Sequence, residues 1–307
     1  MEMRGRKSLD VSIATVNWNT TSMLDRCIDS VRNSIEAISY EMFVIDNDSH
    51  DMDFKEIVEK YSPYKNIFFI KNNTNEGAAA LNRIIGLFRG RYLLVLGPDT
   101  IVKRAALDRM VRFMDTRKDA GCTSAKLLNP DGSVQFYSYR LWRLIMVFYL
   151  NTYLGSLIDC HAFNHRKRKY YLGQDIHITA DGVEVEQPSG ACIIVRPELL
   201  VDDGYIIDPR FPFYYNDVDL SMRIAKKGYK IYLLSSAEVV HFISSSFKQR
   251  DDLWNDKECK AGQIKYFEKY YPAQVPLVKG MYAFDGVVRK LRNLSISEKI
   301  VKLIKKT

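Results

Sequence analysis

The sequence VSIATVNWNTTSMLDRCIDSVRNSIEAISYEMFVIDNDS, residues 11–49, predicts a strand, a helix and a second strand in succession. Residues 11–16 are apolar and rich in β-branched side chains, as in a buried strand, and residues 41–45 repeat that pattern. Residues 23–38 between them show a helical pattern that Thr21 or Ser22 could cap. This order favours parallel strands in an α/β fold.

The same alternation continues to about residue 130. Strands are predicted at residues 66–70 and 92–96, and helices from Gly77 to Phe88 and from Arg104 to Arg117. Such a series indicates a mostly parallel central sheet that binds ligands at the carboxyl ends of its strands. Polar residues occur at those ends: Asn17, Asn19, Asp46, Asn47, Asn75 and Asp99.

The rest of the chain has a different character. Residues 134–181 are aromatic and basic without a strand period, which favours a pair of packed helices with a loop. Strand patterns return from Val183, and the chain ends in helices rich in Lys and Tyr. We therefore expect a nucleotide-binding half at 8–130, an acceptor and catalytic half at 131–245, and a helical appendage at 246–307.

Composition limits the class of protein. Of the 307 residues, 47% are hydrophobic and 12% aromatic, which indicates a folded core, and the net charge of +8 indicates an anionic partner. Five widely spaced cysteines without Cys-x-x-Cys spacing predict neither a disulfide framework nor a zinc site. Residues 1–10 lack the apolar core of a signal peptide, and the apolar run at 144–150 is too short to span a bilayer. We expect a cytoplasmic protein, soluble or on a membrane surface.

The sharpest motif is Asp217-Val218-Asp219, where a loop should enter a helix over residues 220–227. A carboxylate at a helix entrance in a cleft can act as a general base toward a hydroxyl. The same residues also suit helix capping, with Asp217 as the cap and Asp219 in the first turn. The order of this motif among the others below favours the base.

Asp99 and His241 are candidates for a metal site. Asp99 follows the strand at 92–96 and resembles the second half of an Asp-x-Asp motif. One carboxylate can hold Mg²⁺ or Mn²⁺ when phosphate oxygens and a second protein ligand complete the shell, and His241, after an apolar run, could be that ligand. A Pro-Asp turn and a structural histidine are the alternatives.

Two further segments suit a nucleotide. Asp46 could accept a hydrogen bond from a nucleobase or ribose, or could cap the next helix. Residues 72–86, NNTNEGAAALNRIIG, place small side chains where a ligand could approach, although helix packing explains the alanines equally well. Asn82 near that helix start could face a diphosphate.

Together these segments resemble the inverting glycosyltransferase family two, which adopts the GT-A fold, over about residues 8–245. The resemblance rests on VSIATVNWNT, VIDNDS, NTNEGAAALNRIIG, LLVLGPDT, QPSGACIIVRPELL and FYYNDVDLSMRIAKKGYKIYLL, followed by His241. Within the family the chain is most similar to bacterial rhamnosyltransferase-like members of cell-surface polysaccharide assembly. The resemblance implies an inverting hexosyltransferase that moves a sugar, rhamnose or another hexose, from a nucleotide-diphosphate donor to a lipid-linked saccharide.

The resemblance also implies roles for individual residues. Asp217 would be the general base, supported by Asp219, and Asp99 with His241 would bind Mn²⁺ or Mg²⁺. The donor nucleotide would lie along Thr15, Asn17, Asn19, Asp46, Asn75, Gly77 and Asn82. The sugar and acceptor pocket would include Gly190, Ala191 and Asn216.

Three positions depart from the family pattern. Gly97 stands where the usual metal motif has an acid or Asn, so metal binding is expected to be weak or to depend on Asp99 alone. Asn216 replaces the acid that usually precedes the base, which removes a second carboxylate contact. The Gly-Gly-Ser tail after the histidine is altered at residues 242–246.

The C-terminal residues indicate a membrane partner. Val287, Val288, Leu291 and Leu294, then Ile300, Val301 and Ile304, recur at helical spacing with Lys and Arg between them. Such a helix could lie on an anionic bilayer, with the protein peripheral on the inner face of the cell membrane, or could pack on the catalytic domain. No nucleic-acid partner is expected.

Two other functions compete with this interpretation. A nucleotidyltransferase would normally carry a glycine-rich, Lys-containing loop after the first strand, where this chain has Asn17-Trp18-Asn19-Thr20. A catalytically impaired GT-A-like basic binding protein at a membrane surface would explain Gly97 and Asn216. It would not need Asp99, Asp217 and His241 together.

Overall fold

A computed structural model describes most of the chain, in two units. The described residues are 9–50, 54–135, 138–176, 179, 182–201, 203–242 and 251–304, with the side chains of 201 and 293–304 left out. One unit comprises Met1–Tyr139 and Ile176–Gly262, and the other comprises Arg140–Asp175 and Gln263–Thr307. The altered tail at 243–246 and the side chains of Leu294, Ile300, Val301 and Ile304 lie outside the described residues, and the boundary at 245/246 stays a prediction.

The first unit contains the strands. In chain order they are β1 (Leu9–Asn17), β2 (Tyr40–Asn47), β3 (Ile67–Asn72), β4 (Gly90–Leu96), β5 (Thr100–Val102), β6 (Ala120–Leu128), β7 (Ser138–Tyr139), β8 (Val183–Val185), β9 (Gln187–Pro188), β10 (Cys192–Val195) and β11 (Lys230–His241). The main sheet has the order β3-β2-β1-β4-β10-β6-β11-β5, with β8 beside β11, and β7 pairs with β9 separately.

The predicted mostly parallel α/β sheet is confirmed. Strand β1 runs parallel to β2 and β4, β2 runs parallel to β3, and β6 runs parallel to β11, whereas β10 lies antiparallel between β4 and β6. The register pairs Asn17 with Asp46, so the polar ends of β1 and β2 meet at one edge of the sheet. Residues on both faces of these strands are buried, as their apolar runs require.

Helices follow the strands. They are α1 (Thr21–Ser34), α2 (Phe54–Tyr61), α3 (Ala106–Thr116), α4 (Leu144–Asn151), α5 (Tyr153–Phe163), α6 (Arg166–Tyr171), α7 (Glu198–Val201), α8 (Asn216–Lys226), α9 (Asp252–Tyr270) and α10 (Val275–Ile304). Short 3-10 helices occupy Gly77–Ile84 and Pro272–Gln274. Helix α1 buries Leu24, Cys27, Ile28 and Val31, which recur at helical spacing, and so covers the sheet with one face.

The α-helix predicted from Gly77 to Phe88 is wrong in type, because a 3-10 helix forms at Gly77–Ile84 instead. Gly77 has φ +58, and the amide of Ala78 donates to Pro212 O at 2.6 Å. The start of the helix is therefore tied to a loop distant in sequence. The helices predicted near residues 23–38, 104–117 and 220–227 are confirmed as α1, α3 and α8.

The second unit is helical. The middle of the chain forms three helices, α4, α5 and α6, where two were predicted. Within this unit the amide of Tyr153 donates to Asp285 Oδ1 at 2.5 Å, and the Arg292 guanidinium lies 4.9 Å from the Tyr153 ring centroid. Among the described helices, none combines the length and the hydropathy that a membrane span requires.

Candidate active site

A cavity of about 410 Å³ opens at the carboxyl ends of β1, β2 and β4. It brings together Asp99, Asp217 and His241, which the sequence places far apart. The predicted residues that line it are Asn75, Gly77, Asp99, Gly190, Asn216, Asp217 and His241. Other lining residues are Val16, Trp18, Asn47, Ala78, Gly97, Pro98, Pro212, Phe213, Tyr214 and Tyr215.

At the end of β1 the residues that line the cavity alternate along the chain with the residues predicted to do so. Val16 and Trp18 line the cavity, whereas Thr15 and Asn17 are fully buried. Side chains alternate along a strand, so residues 16 and 18 point to the opposite face from residues 15 and 17. Trp18 therefore supplies an aromatic surface that the polarity of the sequence does not indicate.

Asn17, Asn19 and Asp46 connect the ends of β1 and β2. Asn17 Nδ2 donates to Asp46 Oδ1 at 3.3 Å and to Ser49 Oγ at 3.0 Å. Asn19, at φ +53, accepts from the amide of His50 at 2.7 Å. These residues shape the rim of the site, and their own side chains are absent from the cavity lining of the described chain.

Asn47 holds the loop that forms one wall of the cavity. Its Nδ2 donates to Asn75 Oδ1 at 2.8 Å and to Gly77 O at 3.2 Å, and its Oδ1 accepts from the amide of Glu76 at 3.1 Å. At Gly77 an added Cβ would lie 2.2 Å from Pro212 O, so only glycine allows this loop to approach. Asn75 and Gly77 are thereby placed at the cavity, as predicted residues of the donor site.

Three further predicted residues lie away from the cavity. Asn82 Oδ1 accepts from the amides of Ile206 and Ile207 at 2.8 and 3.0 Å, which anchors that segment. Ala191 is buried, and its carbonyl accepts from the Gly97 amide at 2.8 Å. Asp219 is fully buried and pairs with Arg223 Nε at 3.1 Å. Each of the three contacts residues next to the cavity without lining it.

Asp217 stands at the start of α8, inside the cavity wall. Its Oδ1 accepts from the Val218 amide at 2.9 Å, and its Oδ2 accepts from Gln187 Nε2 at 3.3 Å. Burial raises the pKa of the Asp217 carboxyl above its usual range, and the two hydrogen bonds oppose that change. Gly190 leaves room beside it, because an added Cβ there would lie 3.5 Å from Asp217 Cβ. A carboxylate of raised basicity beside open space can accept a proton from a bound hydroxyl.

Asp99 and His241 face each other across the cavity floor, with 3.6 Å between Asp99 Oδ1 and His241 Nε2. Gln135 fixes the histidine ring. The Gln135 amide nitrogen donates to the main-chain oxygen of His241, and Gln135 Oε1 lies 3.0 Å from His241 Nδ1. A carbonyl oxygen can only accept, so this arrangement places the ring proton on Nδ1 and leaves Nε2 with its lone pair toward Asp99.

The pair fits a divalent cation. Burial lowers the pKa of His241, against the opposing effect of Asp99, and favours the neutral imidazole that a metal requires. Two lone-pair donors that face each other without a proton between them attract a cation. Within the described ranges no group of three His, Cys, Asp or Glu side chains could hold a metal, so oxygens of a bound diphosphate and water would complete the shell.

Replacing Gln135 with leucine is expected to weaken Mn²⁺ binding about 10- to 100-fold, because the His241 ring loses the acceptor that orients it. Electron paramagnetic resonance of Mn²⁺ in the presence of a nucleoside diphosphate measures the affinity, and ¹⁵N NMR reports the tautomer of His241. Gln174→Leu, at an exposed glutamine, is the matched control. Unchanged affinity and an unchanged tautomer in Gln135→Leu would remove Gln135 from this role.

Comparison with known proteins identifies the family of the chain. The sequence model described as "Glycosyl transferase family 2" matches residues 12–171. An N-acetylglucosaminyl-diphospho-decaprenol L-rhamnosyltransferase of Mycobacterium tuberculosis is 24% identical over 245 residues, 75% of each chain. An uncharacterized glycosyltransferase of Methanocaldococcus jannaschii, MJ1057, is 29% identical over 112 residues, 36% of this chain and 38% of the relative, so the match spans well under half of that protein.

The fold is shared with a solved glycosyltransferase. The mannosyltransferase PcManGT from Pyrobaculum calidifontis, solved with GDP-Man and Mn²⁺, superposes with a TM-score of 0.56 at 14% identity, over 89% of this chain and 69% of that one. This likeness confirms the GT-A fold expected from the sequence. The match to the family covers more than half of the chain. The protein therefore belongs to glycosyl transferase family 2.

Proposed function

We propose that this protein transfers a sugar from a nucleoside-diphosphate donor to a hydroxyl of a lipid-linked saccharide, with inversion at the anomeric carbon. The observation that carries the proposal is one cavity lined by a half-buried carboxylate, Asp217, and by the facing pair Asp99 and His241. A base and a cation site on one cavity match the needs of a displacement with a diphosphate leaving group.

Asp217 is the proposed base of a single displacement. The acceptor hydroxyl donates its proton to the Asp217 carboxylate while its oxygen forms a bond to the anomeric carbon. The bond from that carbon to the diphosphate oxygen breaks on the opposite face, so the configuration inverts. Asp219, paired with Arg223, steadies the start of α8 that carries the base.

Asp99 and His241 hold the leaving-group end of the site. A divalent ion bound there would offset the charge that develops on the departing diphosphate. Asn75 and Gly77 border the same cavity and, with Trp18, offer amide, backbone and aromatic surfaces to a nucleotide. Asn17, Asn19 and Asp46 support that surface from the strand ends.

The lipid-linked acceptor and the location are proposed from the relative. The M. tuberculosis protein is named for a diphospho-decaprenol-linked acceptor and an L-rhamnosyl donor. By analogy, we assign this chain a rhamnosyl or other hexosyl transfer in cell-envelope polysaccharide synthesis, peripheral on the inner face of the cell membrane. Residues 8–245 are the proposed catalytic domain and 246–307 the appendage.

Nucleoside-diphosphate release from a panel of nucleotide sugars tests this function. We expect release from one donor when Mn²⁺ or Mg²⁺ and a lipid-linked acceptor are present, and none after chelation. NMR of the product should show the anomeric configuration opposite to the donor's. Retained configuration would contradict the single displacement. Donor binding without release, with every acceptor in the panel, would favour the impaired binding protein instead.

A further inference from the structure

The net positive charge of the chain comes from its second unit. Arg140–Asp175 and Gln263–Thr307 contain 16 Lys and Arg against 5 Asp and Glu, whereas the whole chain contains 45 against 37. The remaining residues therefore hold 29 basic and 32 acidic side chains and are slightly acidic overall. Long-range attraction to an extended anionic surface therefore acts mainly on the helical unit.

Helix α10 in that unit carries an exposed apolar stripe. Leu277, Phe284, Val287 and Leu291 are 55–61% exposed. At 3.6 residues per turn they fall within about 80° of one another around the helix axis. The opposite side of α10 is the buried one, with Val278 fully buried and Asp285 nearly so. The stripe is therefore a second apolar face of the helix, which the described residues leave open to solvent.

An apolar groove continues this stripe. Its volume is about 320 Å³, and its walls include Phe148, Leu154, Leu277, Met281, Phe284 and Val288. Leu154 and Leu157 of α5 are themselves about 40% exposed, at 39% and 40%. The apolar surface thus extends from α10 onto a second helix of the same unit.

Basic residues border the stripe on both sides. By the same helical spacing, Lys279 and Lys290 lie on one edge of the stripe and Arg292 on the other. All three are exposed. The unit also contains the basic helix α6, Arg166–Tyr171. An apolar band with cations at its borders matches the boundary between the acyl chains and the phosphates of an anionic bilayer.

We propose that the second unit docks on an anionic phospholipid bilayer, with the stripe Leu277, Phe284, Val287 and Leu291 in the acyl region and the groove open to lipid chains. Lys279, Lys290 and Arg292 then contact the phosphates at the bilayer surface. The docking surface lies in the helical unit, so binding to vesicles requires neither a nucleotide sugar nor an acceptor.

Flotation of the full chain with vesicles tests the docking. We expect binding to vesicles of phosphatidylcholine with about one third phosphatidylglycerol, and much weaker binding to phosphatidylcholine alone. Phe284→Gln with Leu291→Gln should lower the partition coefficient at least about 10-fold, because two apolar side chains leave the bilayer. The matched control is Leu87→Gln, at a leucine of the other unit that is 54% exposed.

Removal of charge tests the basic residues that border the stripe. Lys290→Ser with Arg292→Ser should lower the partition coefficient about fivefold per charge and should reduce its dependence on salt. The exposed pair Lys65→Ser with Lys118→Ser, in the other unit, removes the same charge elsewhere and should leave binding close to wild type. Equal losses in both pairs would mean that net charge, and not this surface, directs binding.

Two glycines of α10 provide a matched pair of reporters. An added Cβ meets open space at both Gly280, in the groove, and Gly286, about 120° around the helix. Gly280→Trp should gain fluorescence that lipids with brominated acyl chains quench, and Gly286→Trp should not. Equal quenching at the two positions, or its absence at both, would overturn the proposed orientation.

The outcomes separate docking from catalysis. Phe284→Gln with Leu291→Gln should retain donor turnover with a water-soluble acceptor, so loss of the transferase function and loss of docking are distinguishable. Vesicle binding that survives both paired substitutions would overturn the proposal. A change from dimer to monomer in ultracentrifugation, without a change in vesicle binding, would assign the stripe to a second copy of the chain and would overturn it equally.

Discussion

Asp217→Asn is expected to lower turnover at least about 100-fold, because asparagine cannot accept the proton of the acceptor hydroxyl. The side chain keeps its size, and its oxygen can still accept from the Val218 amide. Donor affinity should therefore change little, and the loss should appear in kcat. The measurement is nucleoside-diphosphate release at saturating donor and acceptor.

Asp48→Asn is the matched control for this variant. Asp48 borders the neighbouring cavity and has φ +64, a backbone conformation that asparagine tolerates. The Asp48→Asn substitution removes one negative charge close to the site and leaves the proposed base, Asp217, unchanged. Near-normal turnover in Asp217→Asn, or an equal loss in Asp48→Asn, would remove Asp217 from the role of base.

The raised pKa of Asp217 gives the prediction a pH dependence. The base must be ionised, so kcat should fall on acidification through a pKa above the usual value of 3.8. The pH dependence of folding stability has the opposite sign to that of kcat. The folded state favours the protonated carboxyl, so the ionised group destabilises the fold above its folded pKa and has no such effect below 3.8. Asp217→Asn should therefore melt at the same or a higher temperature than wild type at pH 7.5, and the difference should vanish toward acid.

The sequence was sufficient to select the three polar groups that meet at the cavity, Asp99, Asp217 and His241. Asp99 directly precedes β5 and His241 ends β11, and the antiparallel pairing of these strands sets His241 opposite Thr100. Asp217 begins a helix. Chemical type and position along an element made each of the three a candidate, and the resemblance to the family joined them into one site; all three line one cavity. The α/β class followed from the same alternation of apolar runs.

The residues that shape the cavity were harder to select. Polarity favours Thr15 and Asn17, yet Val16 and Trp18 line the cavity, because alternation along β1 decides which side chains face it. The signal was present in the two-residue period of the strand. Polarity alone does not reveal it.

The residues that position the active groups had no local signal. Gln135 contacts His241 from 106 residues away, and Gln187 contacts Asp217 from 30 residues away. Gln187 lies in a two-residue strand and Gln135 just before its partner strand, β7. Short elements of this kind have no periodicity that a sequence can reveal, and tertiary structure alone brings the amides to their partners.

Asp99→Asn is expected to reduce metal-dependent turnover at least about 1,000-fold, which corresponds to about 4 kcal/mol. Asparagine keeps the shape of the side chain but removes the charge that faces His241 Nε2 at 3.6 Å. The chain offers a neutral imidazole as the second ligand, so the carboxylate supplies the charge of the proposed pair. Turnover in Mn²⁺ and in chelator, and Mn²⁺ affinity by electron paramagnetic resonance with a nucleoside diphosphate, are the two measurements.

His241→Ala should produce the same loss of Mn²⁺ affinity, and His50→Ala should not, although His50 borders the neighbouring cavity. Both histidine variants remove one imidazole close to the site. A loss of affinity in His241→Ala alone therefore assigns the effect to the Asp99–His241 pair. If Asp99→Asn and His241→Ala retain full metal-dependent turnover, the cation binds elsewhere. If both lose metal affinity but keep turnover in chelator, Asp217 and the cavity suffice for transfer, and the charge on the leaving diphosphate is balanced by other groups of the site.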